Sequence, residues 1–249
     1  MTDPDDGQGV LRDQYQAITD LVTSLDERAM LGPTRCVGWT VQDLLFHVLL
    51  DAQRALVTFA TPSADEPDRD LVSYWTEFDP AKAGDDELDH ALFVRRAAAA
   101  YGRPGSLVTH WRHISGAAAR AAEVCPHRNV ATQGHVLAVA DFVATLVTEA
   151  AVHQLDMAVG LPAATPPPAA ALAIVRRTLD GLLGAAPPEH WDDVAYTLKA
   201  PAGARSTPPT ATPSATRPAA SRCSASGTRQ QVSSMSPSAG FSALVTVRW

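Results

Sequence analysis

Hydrophobic positions recur at helical spacing through most of this chain. Tyr15, Ile18, Val22, Leu25 and Ala29 fall three and four residues apart, which predicts one amphipathic helix from about Leu11 to Met30. A second stripe of Val41, Leu44, Leu45, Val48, Leu49 and Ala52 follows a turn containing Gly32, Pro33 and Gly38. Thr40, with Asp43 three residues on, has the form of a capping box, and Trp39 stands where it can staple the start of that helix. After an acidic, Pro-containing linker from Thr61 to Asp70, the pattern predicts helices over about Asp86–Tyr101 and Ser106–Ala122, separated by "GRPG". Two more are predicted over about Val139–Val159 and Ala169–Leu183. Only "VAYTLK", Val194 to Lys199, alternates as a strand would. The expected fold is therefore mainly α: a helical bundle with a short α/β remnant behind it.

The pattern ends near Lys199. From Ala200 to Trp249 there is no acidic residue and there are five arginines, so the tail carries +5 and the first 199 residues −12. Pro, Ser, Thr, Ala and Arg dominate it, and such a composition buries too little apolar surface to offset the entropy of ordering. The expectation is a disordered tail over 200–238, with one strand near Ala243 to Trp249. GC-rich coding sequence read in a shifted frame would produce the same residue set. The chain divides accordingly into a bundle over 1–162, a partial α/β segment over 163–199 and the tail over 200–249.

Composition narrows the function classes. At 249 residues and 46% hydrophobic, the chain can bury a good-sized core. Its N-terminus has neither a basic nor an apolar leader region, and no apolar run reaches the roughly 18 residues of a membrane span. A cytoplasmic protein with no membrane partner is expected. The three cysteines, Cys36, Cys125 and Cys223, have neither disulfide-framework nor zinc-ribbon spacing. Any metal would need His and carboxylate ligands. A net charge of −7 without a basic stripe excludes nucleic acid as the expected partner.

Chemistry concentrates in "TEAAVHQLDMAVGL", Thr148 to Leu161. Glu149 and His153 are four apart, so their side chains reach a common point beside the helix. That is half a metal site, or an ordinary helical pair. Catalytic zinc sites use three protein ligands and leave a position open. His47, set among Leu44, Leu45, Val48 and Leu50, is the candidate for a third, since an unpaired imidazole in such surroundings is costly. Asp156 either orients His153 by accepting its second ring N–H or pairs with solvent at the helix end. Asp43 is expected to cap, Asp51 to be solvated, Cys36 to be a small buried group, and Cys125 to be inert. His110 and His113, in "THWRHISG", are expected as surface or satisfied core residues.

"PTRCVGWTVQDLLFHVLLDAQRAL", followed about a hundred residues later by "DFVATLVTEAAVHQLDMAVGL", resembles the mycothiol-dependent maleylpyruvate isomerase family, a branch of the DinB-like metal-binding four-helix bundles. The resemblance spans roughly Leu11 to Lys199. It implies that His47, Glu149 and His153 bind a divalent metal, usually zinc, with mycothiol, the thiol of actinobacteria, as cosubstrate. A thiol bound to zinc loses its proton near neutral pH. The thiolate could add to a maleyl double bond, permit rotation and leave, or be transferred to an electrophile. The expected function is thus a metal-dependent, mycothiol-using isomerase or thiol transferase. The alternatives are a non-enzymatic metal-binding bundle acting as a regulatory or interaction module, and a metal-free polar core. Expected partners are a small thiol and an electrophilic substrate, with the chain as monomer or homodimer. The family's C-terminal α/β domain is expected only in part here.

Overall fold

Four long helices pack in a closed ring in the computed structural model, which describes residues 7–77, 85–161, 163–184 and 191–203. They are α1 (Gly7–Thr23), α3 (Val41–Phe59), α5 (Pro104–Val124) and α6 (Val139–Met157). Helices α1 and α3 each pack against both α5 and α6, which defines a four-helix bundle. Short α2 (Glu27–Met30) precedes α3, and α4 (Asp85–Ala99) packs on the outer side of α3. Helix α7 (Ala169–Leu183) covers α6, and α8 (Asp193–Gly203) rests on α7 and α6.

Local chemistry sets the boundaries. Thr40 caps α3 as expected: its hydroxyl accepts the Asp43 N–H at 3.2 Å, and Asp43 Oδ2 accepts the Thr40 N–H at 2.9 Å. The helix expected to run unbroken from Leu11 to Met30 ends instead at Thr23. Asp26 accepts the Ala29 N–H at 2.7 Å and starts α2 as a new helix. Helix α6 is buried from Phe142 to Met157, because α1, α3, α7 and α8 surround it. An amphipathic stripe is accordingly weak there, as a helix enclosed on all sides requires.

The β structure lies elsewhere than expected. Val194 to Lys199 is helical within α8, since Asp192 Oδ1 accepts the Ala195 N–H at 2.7 Å and opens a helix. Tyr196 is fully buried, donating to Asp180 Oδ1 at 2.7 Å. The strands are β1 (Asn129–Thr132) and β2 (His135–Ala138), an antiparallel hairpin in the register Asn129↔Ala138. Its two-residue turn places both Gln133 (φ 49°) and Gly134 (φ 82°) in the left-handed region, the requirement of the tight hairpin turns that match strand twist. Part of the 61–70 linker runs beside this hairpin, with Ala131 donating to the Thr61 carbonyl at 2.9 Å. Helix α8 reaches Gly203, so the first four residues of the expected tail are helical; the rest, 204–249, lies outside the described residues. Among the described residues no helix is long and apolar enough to cross a membrane.

Leu11, Ile18, Leu44, Leu45, Leu49, Leu107, Trp111, Phe142 and Leu146 fill the space between the four helices. Trp111 donates its indole N–H to Thr19 Oγ1 at 2.9 Å. Beside it, His110 bonds the Tyr101 hydroxyl at 2.6 Å and His113 is exposed. Both histidines fill the structural roles expected of them.

Candidate metal centre

Helices α3 and α6 turn their ionisable residues toward each other. His47, Glu149 and His153 are all buried, the last completely. Glu149 Oε1 lies 3.0 Å from His47 Nε2 and 3.3 Å from His153 Nε2. One ligand atom from each residue falls within 4.8 Å of the others, and the two imidazoles meet edge to face with ring centroids 5.0 Å apart. The spacing expected on α6 and the separate histidine of α3 are thus brought to one point.

The donor set fits a divalent cation. Two imidazole nitrogens and one carboxylate oxygen form a common open zinc set, and ligand bonds of about 2.0–2.2 Å require donor atoms to approach at separations like these. His153 Nε2 has no hydrogen-bond partner of good geometry despite its complete burial. Such an orphaned atom is costly unless something else engages it.

Electrostatics point the same way. Burial alone would raise the Glu149 carboxyl, but the close approach and positive charge of the His153 and His47 rings outweigh it and hold it well below the usual carboxylate range. Burial alone would depress His153, but Asp156, Cys36 and Glu149 together raise it well above an ordinary imidazole. The pocket therefore draws positive charge to the point between α3 and α6.

Surrounding residues support these three. Asp156, for which two roles were open, is buried, with Oδ2 accepting the His153 Nδ1–H at 3.1 Å. Cys36 is buried as expected, and its thiol donates to the same oxygen at 3.7 Å. Asp51 departs from expectation: it is buried rather than solvated, with Oδ1 2.9 Å from Arg54 Nη2. The reason is its position one turn from His47 on the same inward face, where α6 excludes water. Cys125 is half-buried at the C-cap of α5.

Two contributors escaped the sequence analysis. His90 of α4 places Nε2 3.5 Å from His47 Nδ1, and Trp39 packs against both rings. Burial first, and the charge of His47 second, push the His90 imidazole down to about 4, so its ring is neutral at pH 7. Asp86 and Glu87 stand four and three residues before His90, a carboxylate–His spacing like that of Glu149 and His153, and this was the signal the sequence offered. Gln154, the fully buried neighbour of His153, accepts from Gln14 at 2.8 Å and donates to the Thr165 carbonyl at 3.1 Å, tying α6 to α1 and to the segment before α7. Its place beside His153 in this polar stretch of α6 was the available signal.

No curated protein and no solved structure matches the chain. The family model described as the mycothiol maleylpyruvate isomerase N-terminal domain matches residues 11–158, which takes in α3, α6 and every residue of the candidate centre. By that match the chain belongs to the mycothiol maleylpyruvate isomerase N-terminal domain family.

Proposed function

We propose that the chain is a divalent-metal-dependent enzyme of low-molecular-weight thiol chemistry, with His47, Glu149 and His153 as the metal ligands, zinc as the metal and mycothiol as the thiol. The observation that carries this reading is the convergence of three buried donor atoms from two helices, with Glu149 Oε1 3.0 and 3.3 Å from the two imidazole nitrogens. A cation there supplies Lewis acidity that lowers the proton affinity of a thiol. Glu149 contributes the one negative charge among the three ligands. Asp156 accepts from His153 Nδ1, leaving the Nε2 lone pair directed at the site. Trp39 and His90 wall the side next to His47 and limit water there.

The reaction that suits such a site is addition of the thiol sulfur to an electron-poor carbon. With a cis alkene flanked by carboxyl or keto groups, a C–S bond forms and the former double bond turns as a single bond. Expulsion of the same sulfur returns the thiol and the trans isomer. With an electrophile bearing a leaving group, the sulfur stays on the product instead. Both outcomes share the same three ligands, so the class proposed is isomerase or thiol transferase, acting in the cytoplasm.

The test is metal analysis of the purified protein, then calorimetric titration of the metal-loaded form with mycothiol. One equivalent of metal and saturable thiol binding are expected, both lost in His153→Ala. Metal without thiol binding would instead identify a non-enzymatic metal-binding module. A folded protein with no affinity for divalent ions would reduce the trio to a paired polar core.

A further inference from the structure

The loop that precedes α3 reaches across to the far side of His153. Within it, Thr34 N–H donates to the Trp39 carbonyl at 3.2 Å, and Trp39 N–H donates to the Cys36 carbonyl at 3.0 Å. Gly38, at φ 84°, takes a turn conformation that other residues adopt only under strain. The loop is therefore a braced hairpin-like turn. Its Arg35 N–H donates to the Asp156 backbone carbonyl at 3.1 Å, in the last turn of α6, where helix carbonyls lack partners within the helix.

The Arg35 side chain extends the connection in two directions. Its Nε lies 3.6 Å from Asp156 Oδ1, and its Nη2 donates to the Leu198 carbonyl of α8 at 3.4 Å. Asp156 is thus held through both oxygens, Oδ1 by Arg35 and Oδ2 by His153 Nδ1 and the Cys36 thiol. A buried carboxylate needs such partners to keep one orientation. The orientation matters because the Nδ1–H bond decides which ring nitrogen of His153 faces Glu149 and His47.

We propose that Arg35 is a positioning residue that locks Asp156, and through it the His153 ring, to helix α8, so that this helix helps set the geometry of the metal centre. Cys36 serves as the second brace on Asp156. The inference rests on the proposed metal role of His47, Glu149 and His153, and it extends that role to residues that touch neither metal nor substrate. It also gives the segment after residue 158 a function at a site it does not line.

The test uses the full-length chain as Arg35→Ala, Arg35→Gln and Arg35→Lys. Cobalt(II) titration reads affinity and the visible spectrum of the loaded site. In the metal-free protein, NMR reads the His153 Nδ1–H as a far-downfield, slowly exchanging proton. Removing the positive charge in Arg35→Ala or Arg35→Gln is expected to weaken cobalt binding about 10- to 100-fold, the range typical of partners that orient a metal-ligating histidine. The spectrum should shift and the downfield proton should exchange faster, with Arg35→Lys recovering part of each. A loop with only a structural role would lower thermal stability and leave all three readouts as in the wild type, which overturns the proposal. If the wild type binds no cobalt while the downfield proton responds to Arg35→Ala, the metal reading fails and the positioning role stands. If cobalt binds normally and Arg35→Ala changes nothing, the positioning role fails and the metal reading stands. A second equivalent of cobalt with a thiolate absorption band, both lost in Cys36→Ser, would make Cys36, His153 and Asp156 a ligand set in their own right and overturn the orienting role.

Discussion

Helix α3 carries two buried polar clusters one turn apart, and they solve the burial of charge in opposite ways. At Asp51 the chain provides its own cation, Arg54 at 2.9 Å, which also lies 5.8 Å from the Phe142 ring centroid. At His47 the partners are Glu149 and a second imidazole, and each group brings one potential ligand atom to the same point. Burial and the nearby charge of Glu149 push the Asp51 carboxyl up, against the pull of Arg54. The Glu149 carboxyl moves down against its burial. The Asp51–Arg54 pair carries its own counter-charge, although Asp51 Oδ2 is left without a hydrogen-bond partner among the described residues. A converging donor set acquires its full stabilisation only from a cation, and that difference makes the second cluster the candidate for chemistry.

The largest expected effect sharpens this contrast. His153→Ala should lose bound metal on passage through a desalting column, as measured by elemental analysis, while circular dichroism remains helical. Retention of one tightly held equivalent would show that the two clusters do not differ in kind.

Arg54→Leu should leave metal content intact and destabilise the fold by about 3–5 kcal/mol in urea denaturation, because it strands a buried carboxylate. A loss within about 0.5 kcal/mol, the range of ordinary surface substitutions, would mean that Asp51 is hydrated in solution.

Replacing both partners, as Asp51→Leu with Arg54→Leu, should recover most of that loss, since well-packed apolar residues commonly match a buried ion pair or exceed it by about 1–4 kcal/mol. Metal content of the double variant should stay at the wild-type level. Its loss would show that the clusters form one electrostatic unit.

Thr40→Ala removes the cap of the helix bearing both clusters and should cost about 1 kcal/mol, with metal content unchanged. The measurement is the shift in denaturation midpoint.

The smallest effect concerns Asp70, an exposed carboxylate bonded within its own turn. Its carboxyl is held down by the Ser73 backbone N–H and hydroxyl, with the Val72 N–H adding to them. Because the folded value is depressed, its contribution is full above the ordinary carboxylate range and is lost as pH falls below about 4. The melting difference between wild type and Asp70→Asn should therefore shrink on acidification. A difference that grows toward low pH would contradict the assigned hydrogen bonds.

Much of this arrangement was legible beforehand, for identifiable reasons. Helix α7 has the bounds expected of its stripe, and α3 begins at the capping box because Thr40 and Asp43 are local partners. The misreadings share a cause. Val194–Lys199 is only six residues long, too short for alternation to outweigh the Asp192 cap, and Asp26 divided a stripe whose apolar spacing continued past it. The hairpin at 129–138 has strands of four residues, and its Gln-Gly turn was its only strong mark.

Residue type and a spacing of three to four were enough to place the helical periodicity, the Thr40 cap of α3, His47 on one helix face, and Glu149 with His153 on another. The sequence could state which side chains share a face of one helix. Which faces meet was decided by packing: only the tertiary structure brought α3 onto α6, gave Asp51 its burial, set His90 beside His47 and let the Arg35–Cys36 loop close over Asp156. Those contacts join residues up to 163 positions apart, and their energies depend on the exclusion of water, which no local pattern encodes.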